Sequence, residues 1–168
     1  MANTRINVTP NGQGKLTTCW FAAYKTMWMW KNKTQDVDVA AAPVLQAIRG
    51  AGLVTEPMYE RGMWPGEYPI VAKALGMNTF RTPYVQTWDV ATVAQFLDSY
   101  GPMFVCMYDP NHAMVLIGAN EDADERKQLE FMNPWNEAHQ GSPSWHFTSM
   151  SWFTNNLQEY DCSLQFWK

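Results

Sequence analysis

The segment that most constrains the fold is Cys19–Lys31, CWFAAYKTMWMWK, which is apolar on nearly every side of a helix. A helix without a polar face cannot lie on the surface and is instead packed in the middle of a protein. Thr17 and Thr18 stand just before it, and either can cap a helix. We therefore predict a buried central helix with Cys19 in its first turn.

The rest of the chain divides into helices followed by strands. Further helices are predicted over about Pro43–Arg49, Glu67–Leu75 and a segment that Asp89 caps and Gly101 ends. Strands are predicted at Met103–Tyr108, His112–Gly118, Gln128–Met132, Trp145–Phe147 and Cys162–Trp167, with a Ser149-capped helix to about Gln158. This order favours an α+β fold. With no repeat or linker, residues 1–168 are interpreted as one domain with an irregular lead over residues 1–12.

Composition and charge exclude several classes of function. The apolar fraction is 46% and the formal net charge is −4, with no cluster of Lys and Arg that a phosphate backbone or membrane surface would require. No signal peptide and no membrane-spanning run are visible, so the chain is expected to be cytoplasmic in the cell that makes it. The three cysteines and three histidines lack metal-ligand spacing. No metal or other cofactor is expected, and a monomer is expected.

Cys19 is the candidate nucleophile. Unpaired backbone N–H groups and the helix dipole favour negative charge at a helix N-terminus, so they lower the pKa of a thiol there. A thiolate in that position needs a base, usually a histidine from another part of the fold. The alternative interpretation is a buried structural cysteine, because free cysteine is often buried. Cys106 and Cys162 are both interpreted in that structural way.

Three polar residues supply the other parts of an acyl-transfer site. Gln13 precedes Cys19 in a Gly-Gln-Gly segment, and its amide is expected to form an oxyanion hole with the Cys19 N–H. His112 opens an apolar strand and is the predicted general base. Asn133 follows the next predicted strand and is expected to orient the imidazole. Each also has an ordinary structural interpretation: a loop glutamine, a hydrogen-bonded core histidine and an Asn-Pro turn.

Other histidines and aromatic residues are weaker candidates. His139 and His146 lie in a segment rich in polar and turn-forming residues, so they compete poorly with His112 as the base. The tryptophans are interpreted mainly as core. Three of them, Trp20, Trp64 and Trp135, are assigned to a substrate groove; Trp64 lies in a Pro/Gly loop, and Trp135 is placed to cover the bond between His112 and Asn133.

These motifs together resemble one family. Gln13 to Trp20 resembles the glutamine–cysteine–tryptophan signature of papain-like cysteine proteases, His112-Ala113 resembles their histidine strand, and Asn133-Pro134-Trp135 resembles their Asn-x-Trp segment. The order Gln, Cys, His, Asn agrees as well. Threonines replace the glycine that papain has before its cysteine, and the spacing is shorter. The chain resembles the compact bacterial papain-like proteases, including type III effectors of the AvrRpt2 kind and related toxin domains.

The resemblance implies a papain-like fold in which a resting thiolate–imidazolium pair of Cys19 and His112 hydrolyses peptide bonds. It also implies a bacterial effector or toxin domain, exported without a cleaved signal peptide, that cuts a specific protein in the cytoplasm of another cell. A cognate immunity protein is a further expected partner. Three alternatives remain open: a peptidoglycan amidase, a glutamine deamidase, and an inactive binding module with the same fold.

Overall fold

The computed structural model describes residues 2–80, 87–107, 112–157 and 164–168. Within these residues the α-helices are α1 Cys19–Lys31, α2 Val37–Gly50, α3 Thr55–Arg61, α4 Tyr68–Ala74, α5 Val90–Tyr100 and α6 Met150–Asn156. Two 3-10 turns, Leu16–Thr18 and Pro65–Glu67, precede α1 and α4. The strands are β1 Asn3–Arg5, β2 Asn78–Phe80, β3 Met103–Met107, β4 His112–Asn120, β5 Leu129–Asn133, β6 Ser144–Thr148 and β7 Leu164–Phe166.

The strands form one antiparallel sheet with β4 near its centre. Its order is β2-β7-β3-β4-β5-β6, and β1 pairs with the far end of β4. Strand β4 is buried except at its two ends, because side chains on both of its faces are covered. Ala113, Val115 and Ile117 belong to the core cluster that contains α1, whereas Met114 and Leu116 belong to the cluster that contains α5.

Helix α1 lies over the sheet as its apolar sequence requires. Trp20, Ala23, Tyr24 and Met27 are all fully buried. The Tyr24 ring stacks on Phe104 of β3 with 4.3 Å between ring centroids, and its hydroxyl donates to Gln165 Oε1 at 2.9 Å. The prediction of a buried central helix is confirmed, and so is the α+β, papain-like fold class.

Most of the predicted elements are present with small differences in their bounds. Helix α2 differs most: it begins at Val37, because the Asp36 carboxylate accepts hydrogen bonds from the N–H groups of Asp38 and Val39. Pro43 therefore lies inside the helix, not at its start. Helix α3 and strands β1 and β2 were not predicted, and β1 corrects the irregular lead over residues 1–12. Those strands have only three residues each, too few for an alternating pattern.

Three predicted boundaries fall on residues outside the described part of the chain. They are the end of the predicted strand at Tyr108, the end of the Ser149-capped helix at about Gln158, and the start of the last strand at Cys162. No single helix of the described residues is long and apolar enough to cross a membrane; α2 and α3 meet the length and composition test only as a pair, bent by 109°.

Candidate active site

The Cys19 side chain lies where the first turn of α1 meets the start of β4. Its Sγ accepts a hydrogen bond from the backbone N–H of Ala113 at 3.4 Å, and the residue is 8% exposed. The 3-10 turn Leu16–Thr18 leads directly into the helix, so the residue reaches this position at the helix tip. The nucleophile candidate and the strand that carries His112 therefore touch, although 93 positions separate Cys19 from His112.

His112 and Asn133 form a hydrogen-bonded pair. His112 Nε2 lies 2.7 Å from Asn133 Oδ1, which also accepts from the Trp135 N–H at 2.9 Å. An amide oxygen only accepts, so Nε2 of the imidazole must be the donor in this pair. In the neutral ring, Nδ1 then carries a free lone pair. Nδ1 is therefore the atom that can take a proton from a thiol.

Burial is the largest influence on the pKa of both Cys19 and His112. It raises the pKa of the Cys19 thiol, and this effect outweighs the opposing hydrogen bonds from the backbone N–H groups of Ala113, Trp20 and Cys19 itself. Burial also lowers the pKa of His112, although its bond to Asn133 acts the other way. Both directions oppose the predicted lowering of the thiol pKa in this conformation. The resting thiolate–imidazolium pair stays a prediction.

Gln13 is buried next to the same turn. Its side-chain Nε2 donates to the carbonyl oxygens of Lys15 and Leu16, both at 2.9 Å, while its Oε1 is buried and finds no hydrogen-bond partner in the described part of the chain. Its backbone N–H donates to Pro134 O at 3.0 Å. Both amide protons are engaged in this conformation, so an oxyanion role requires the Gln13 amide to leave the two carbonyls. That role stays a prediction.

A cavity of about 420 Å³ opens beside the His112–Asn133 pair. Its walls include Gln13, Leu16, His112, Asn133, Trp135 and His146. Leu16 is 72% exposed, an unusual position for a leucine, and stands at the rim. The imidazole is therefore open to solvent on this side, between the 3-10 turn and the strands β5 and β6.

The three tryptophans assigned to the groove differ in position. Trp135 lines the cavity next to Asn133, in agreement with its predicted place. Trp64 is 62% exposed, and the guanidinium of Arg61 lies 4.1 Å from its ring centroid; it is outside the cavity walls. Trp20 is fully buried in the core, which corrects its assignment to the groove. An aromatic residue that follows a helix-tip cysteine points inward when the helix is buried all round.

The other described cysteine and the two other histidines lie in different surroundings. Cys106 is 1% exposed in β3, as its structural interpretation requires. Cys162 lies outside the described residues. His139 is exposed in the loop before β6, whereas His146 lines the cavity, a location that its polar neighbourhood in sequence did not indicate. Among the described residues no group of three or more His, Cys, Asp or Glu side chains is placed to hold a metal.

A thiol at the tip of a buried helix that contacts the strand of a histidine, together with an asparagine hydrogen-bonded to that imidazole, is the arrangement of a papain-like cysteine hydrolase. Comparison with known proteins agrees. The family model described as papain-like cysteine protease AvrRpt2 matches residues 2–158, and the chain belongs to this family. It is accordingly a papain-like cysteine protease. No individual curated protein is similar enough in sequence to match it.

Replacing Asn133 tests whether it orients the imidazole. Asn133→Leu removes the oxygen that His112 and the Trp135 N–H share, so we expect at least about a tenfold slower reaction of Cys19 with iodoacetamide. Asn133→Asp keeps the acceptor and adds a charge that favours the imidazolium, so its rate should stay within a few-fold of wild type. Mass spectrometry of the Cys19 peptide gives both rates; equal rates for wild type and the leucine variant would exclude the orienting role.

Proposed function

We propose that this protease is an endopeptidase of the effector or toxin type, which is delivered into another cell and cleaves a specific cytoplasmic protein there. The observation that carries the catalytic part is the contact between Cys19 Sγ and the N–H of Ala113, the residue after His112, whose imidazole lines an open cavity. This contact joins the helix tip that carries the proposed nucleophile to the strand that carries the proposed base. The delivery and the cytoplasmic target rest on membership of the family.

The acylation step begins from the neutral pair. The Cys19 thiol transfers its proton to His112 Nδ1 as Sγ attacks the carbonyl carbon of the scissile peptide bond, and the carbonyl π electrons move to oxygen. The backbone N–H of Cys19, and Gln13 once its amide has turned, donate to that oxyanion. The oxyanion then collapses, the C–N bond breaks, and the nitrogen takes the proton from His112. The products are a thioester on Cys19 and a free amine.

In deacylation, water is the nucleophile and the sulfur of Cys19 is the leaving group. His112, neutral again, removes a proton from water while the water oxygen attacks the thioester carbon. The C–S bond breaks, the sulfur recovers the proton from His112, and the carboxylic acid leaves. Asn133 holds the Nε2–H throughout both steps, so the lone pair on Nδ1 remains available to the thiol and to the water. No group outside the chain, other than water, enters this sequence.

Selective labelling tests the site without knowledge of the substrate. A papain inhibitor that alkylates thiols should modify Cys19 at least about a hundredfold faster than the buried Cys106, and His112→Ala should slow Cys19 at least about tenfold. Peptide mapping assigns each modification to its cysteine. If Cys19 reacts as slowly as Cys106 and is indifferent to His112→Ala, the chain is a binding module that retains the fold.

The cellular setting is tested by growth. Expression of wild type in a bacterial cytoplasm should arrest growth, and Cys19→Ala should not, if a cytoplasmic target is present. Toxicity that appears only after export to the periplasm would instead favour the peptidoglycan amidase. A cognate immunity protein, if the producer makes one, should restore growth and co-purify with Cys19→Ala. Equal growth of both strains in either compartment contradicts an antibacterial toxin.

The substrate is best found by a survey of new protein N-termini. Cells that express wild type should contain at least one N-terminus that is absent from cells with Cys19→Ala, and the surrounding sequence gives the cleavage motif. A mass gain of about one dalton on a glutamine, without a new N-terminus, would identify the deamidase chemistry instead. The two results are mutually distinguishable because hydrolysis of a side-chain amide leaves the chain intact.

A further inference from the structure

A second imidazole lies close to the His112–Asn133 pair. His146 is the third residue of β6, and it pairs in register with Phe131, while Asn133 pairs with Ser144. Side chains alternate across a sheet, so Asn133, Ser144 and His146 share one face. His112 lies on β4, the strand next to β5, and its ring joins these side chains through the hydrogen bond to Asn133. His112, Asn133 and His146 all line the one cavity.

The surroundings of His146 favour its neutral form. Its ring packs against Phe131 and Trp152, with centroid distances of 6.1 and 5.2 Å. Its Nε2 is buried and has no hydrogen-bond partner among the described residues. A protonated ring would bury an N–H there without an acceptor, which is costly. The pKa of His146 is lowered by this burial, and a charge on it also lowers the pKa of His112.

We propose that His146 is a further residue of the active site, coupled to His112 so that the two imidazoles do not carry charge together. The inference rests on the proposed function, in which His112 becomes an imidazolium as Sγ attacks. A charge on His146 opposes that step, because two like charges near one cavity raise the energy of the attacking state. The enzyme is therefore confined to conditions in which His146 is neutral, and its activity falls as acid protonates it.

Few other charged groups face His146. From the loop before β6, Glu137 lines the same cavity, but its side chain is exposed and screened by solvent. On β5, Glu130 is held by Arg5 through two hydrogen bonds, on the opposite face of the sheet. Helix α6, which carries Trp152, contains no charged residue. Within the described residues His112 is thus the titratable group that shares this buried environment.

The coupling is measurable by NMR titration of the histidine side chains in the full chain that carries Cys19→Ala. The variant His146→Gln should raise the pKa of His112 by about 0.3 to 1 unit, since it removes the competing charge. Linkage requires the reciprocal result: His112→Gln should raise the pKa of His146 by the same amount. A purely structural role of His146 would not produce equal reciprocal shifts. His139→Gln, in the exposed loop, is the matched control and should shift neither.

The same variant has a kinetic consequence. In the protein with Cys19 intact, His146→Gln should extend the acid limb of Cys19 alkylation to lower pH, because no second charge then opposes the formation of the His112 imidazolium. An unchanged His112 pKa, measured while Cys19 still reacts selectively and depends on His112, would overturn this inference alone. Loss of selective Cys19 reactivity in wild type would instead overturn the proposed function. If His146→Gln does not fold, the reciprocal titration in His112→Gln and the variant His146→Asn decide the matter.

Discussion

Replacing Cys19 with alanine is expected to lower peptide hydrolysis by about 10⁴-fold or more. The proposed thioester cannot form without the sulfur, and His112 then has no group to deprotonate except water. Cys19→Ser keeps the size of the side chain and the contact with the Ala113 N–H, yet a hydroxyl is far less acidic than a thiol and should remain at least about 10³-fold below wild type. Cleavage of the peptide defined by the new N-termini provides the assay.

The matched control is Cys106→Ser, which changes the other described cysteine. Cys106 lies in β3 and pairs in register with Ala113, so it is near the site but faces the core. Its variant should lose some stability and keep turnover within about an order of magnitude. Full activity in Cys19→Ala would remove Cys19 from the mechanism altogether, whatever the behaviour of the control.

The chemistry of the site is predictable from the sequence because each group belongs to a recognisable local pattern. A segment that is apolar all round must be a central helix, so Cys19 at its first residue must lie at a helix tip inside the protein. His112 begins a buried strand, and Asn133 ends the next one. Antiparallel neighbours place the start of one strand beside the end of the other, so those two residues meet.

The features that sequence does not predict depend on distances between elements. Nothing near His146 in sequence shows that β6 will pair with β5 in the register that brings its ring to the cavity. The direction of the Cys19 pKa shift is equally hidden: the helix tip is recognisable in the sequence, but the depth of burial that raises the pKa is a property of the packed structure. Pro43 is a further example. A proline is typical of the first position of a helix, but α2 begins six residues earlier, at Val37, because Asp36 caps it there.

A close backbone contact joins the two sides of the site. Gly12 lies against the loop that connects β5 and β6, and a Cβ placed on it would stand 1.9 Å from the carbonyl oxygen of Gly141 and 3.1 Å from Cδ of Pro143. The neighbouring bond from the Gln13 N–H to Pro134 O holds the same two segments together. The segment that leads to Cys19 is therefore anchored directly to the loop that follows Asn133.

Gly12→Ala should accordingly separate these segments and lower the free energy of unfolding by about 2–4 kcal/mol, because backbone atoms cannot yield as a flexible side chain can. This corresponds to a fall of about 1 M or more in the urea midpoint. Labelling of Cys19 should slow as well, since the anchor between its turn and the Asn133 loop is lost. Gly14→Ala is the matched control two positions later: its Cβ would meet no atom within 4 Å, and its midpoint should stay close to wild type. Equal midpoints for the two variants would mean that the loop moves aside freely and that the contact does not hold the site together.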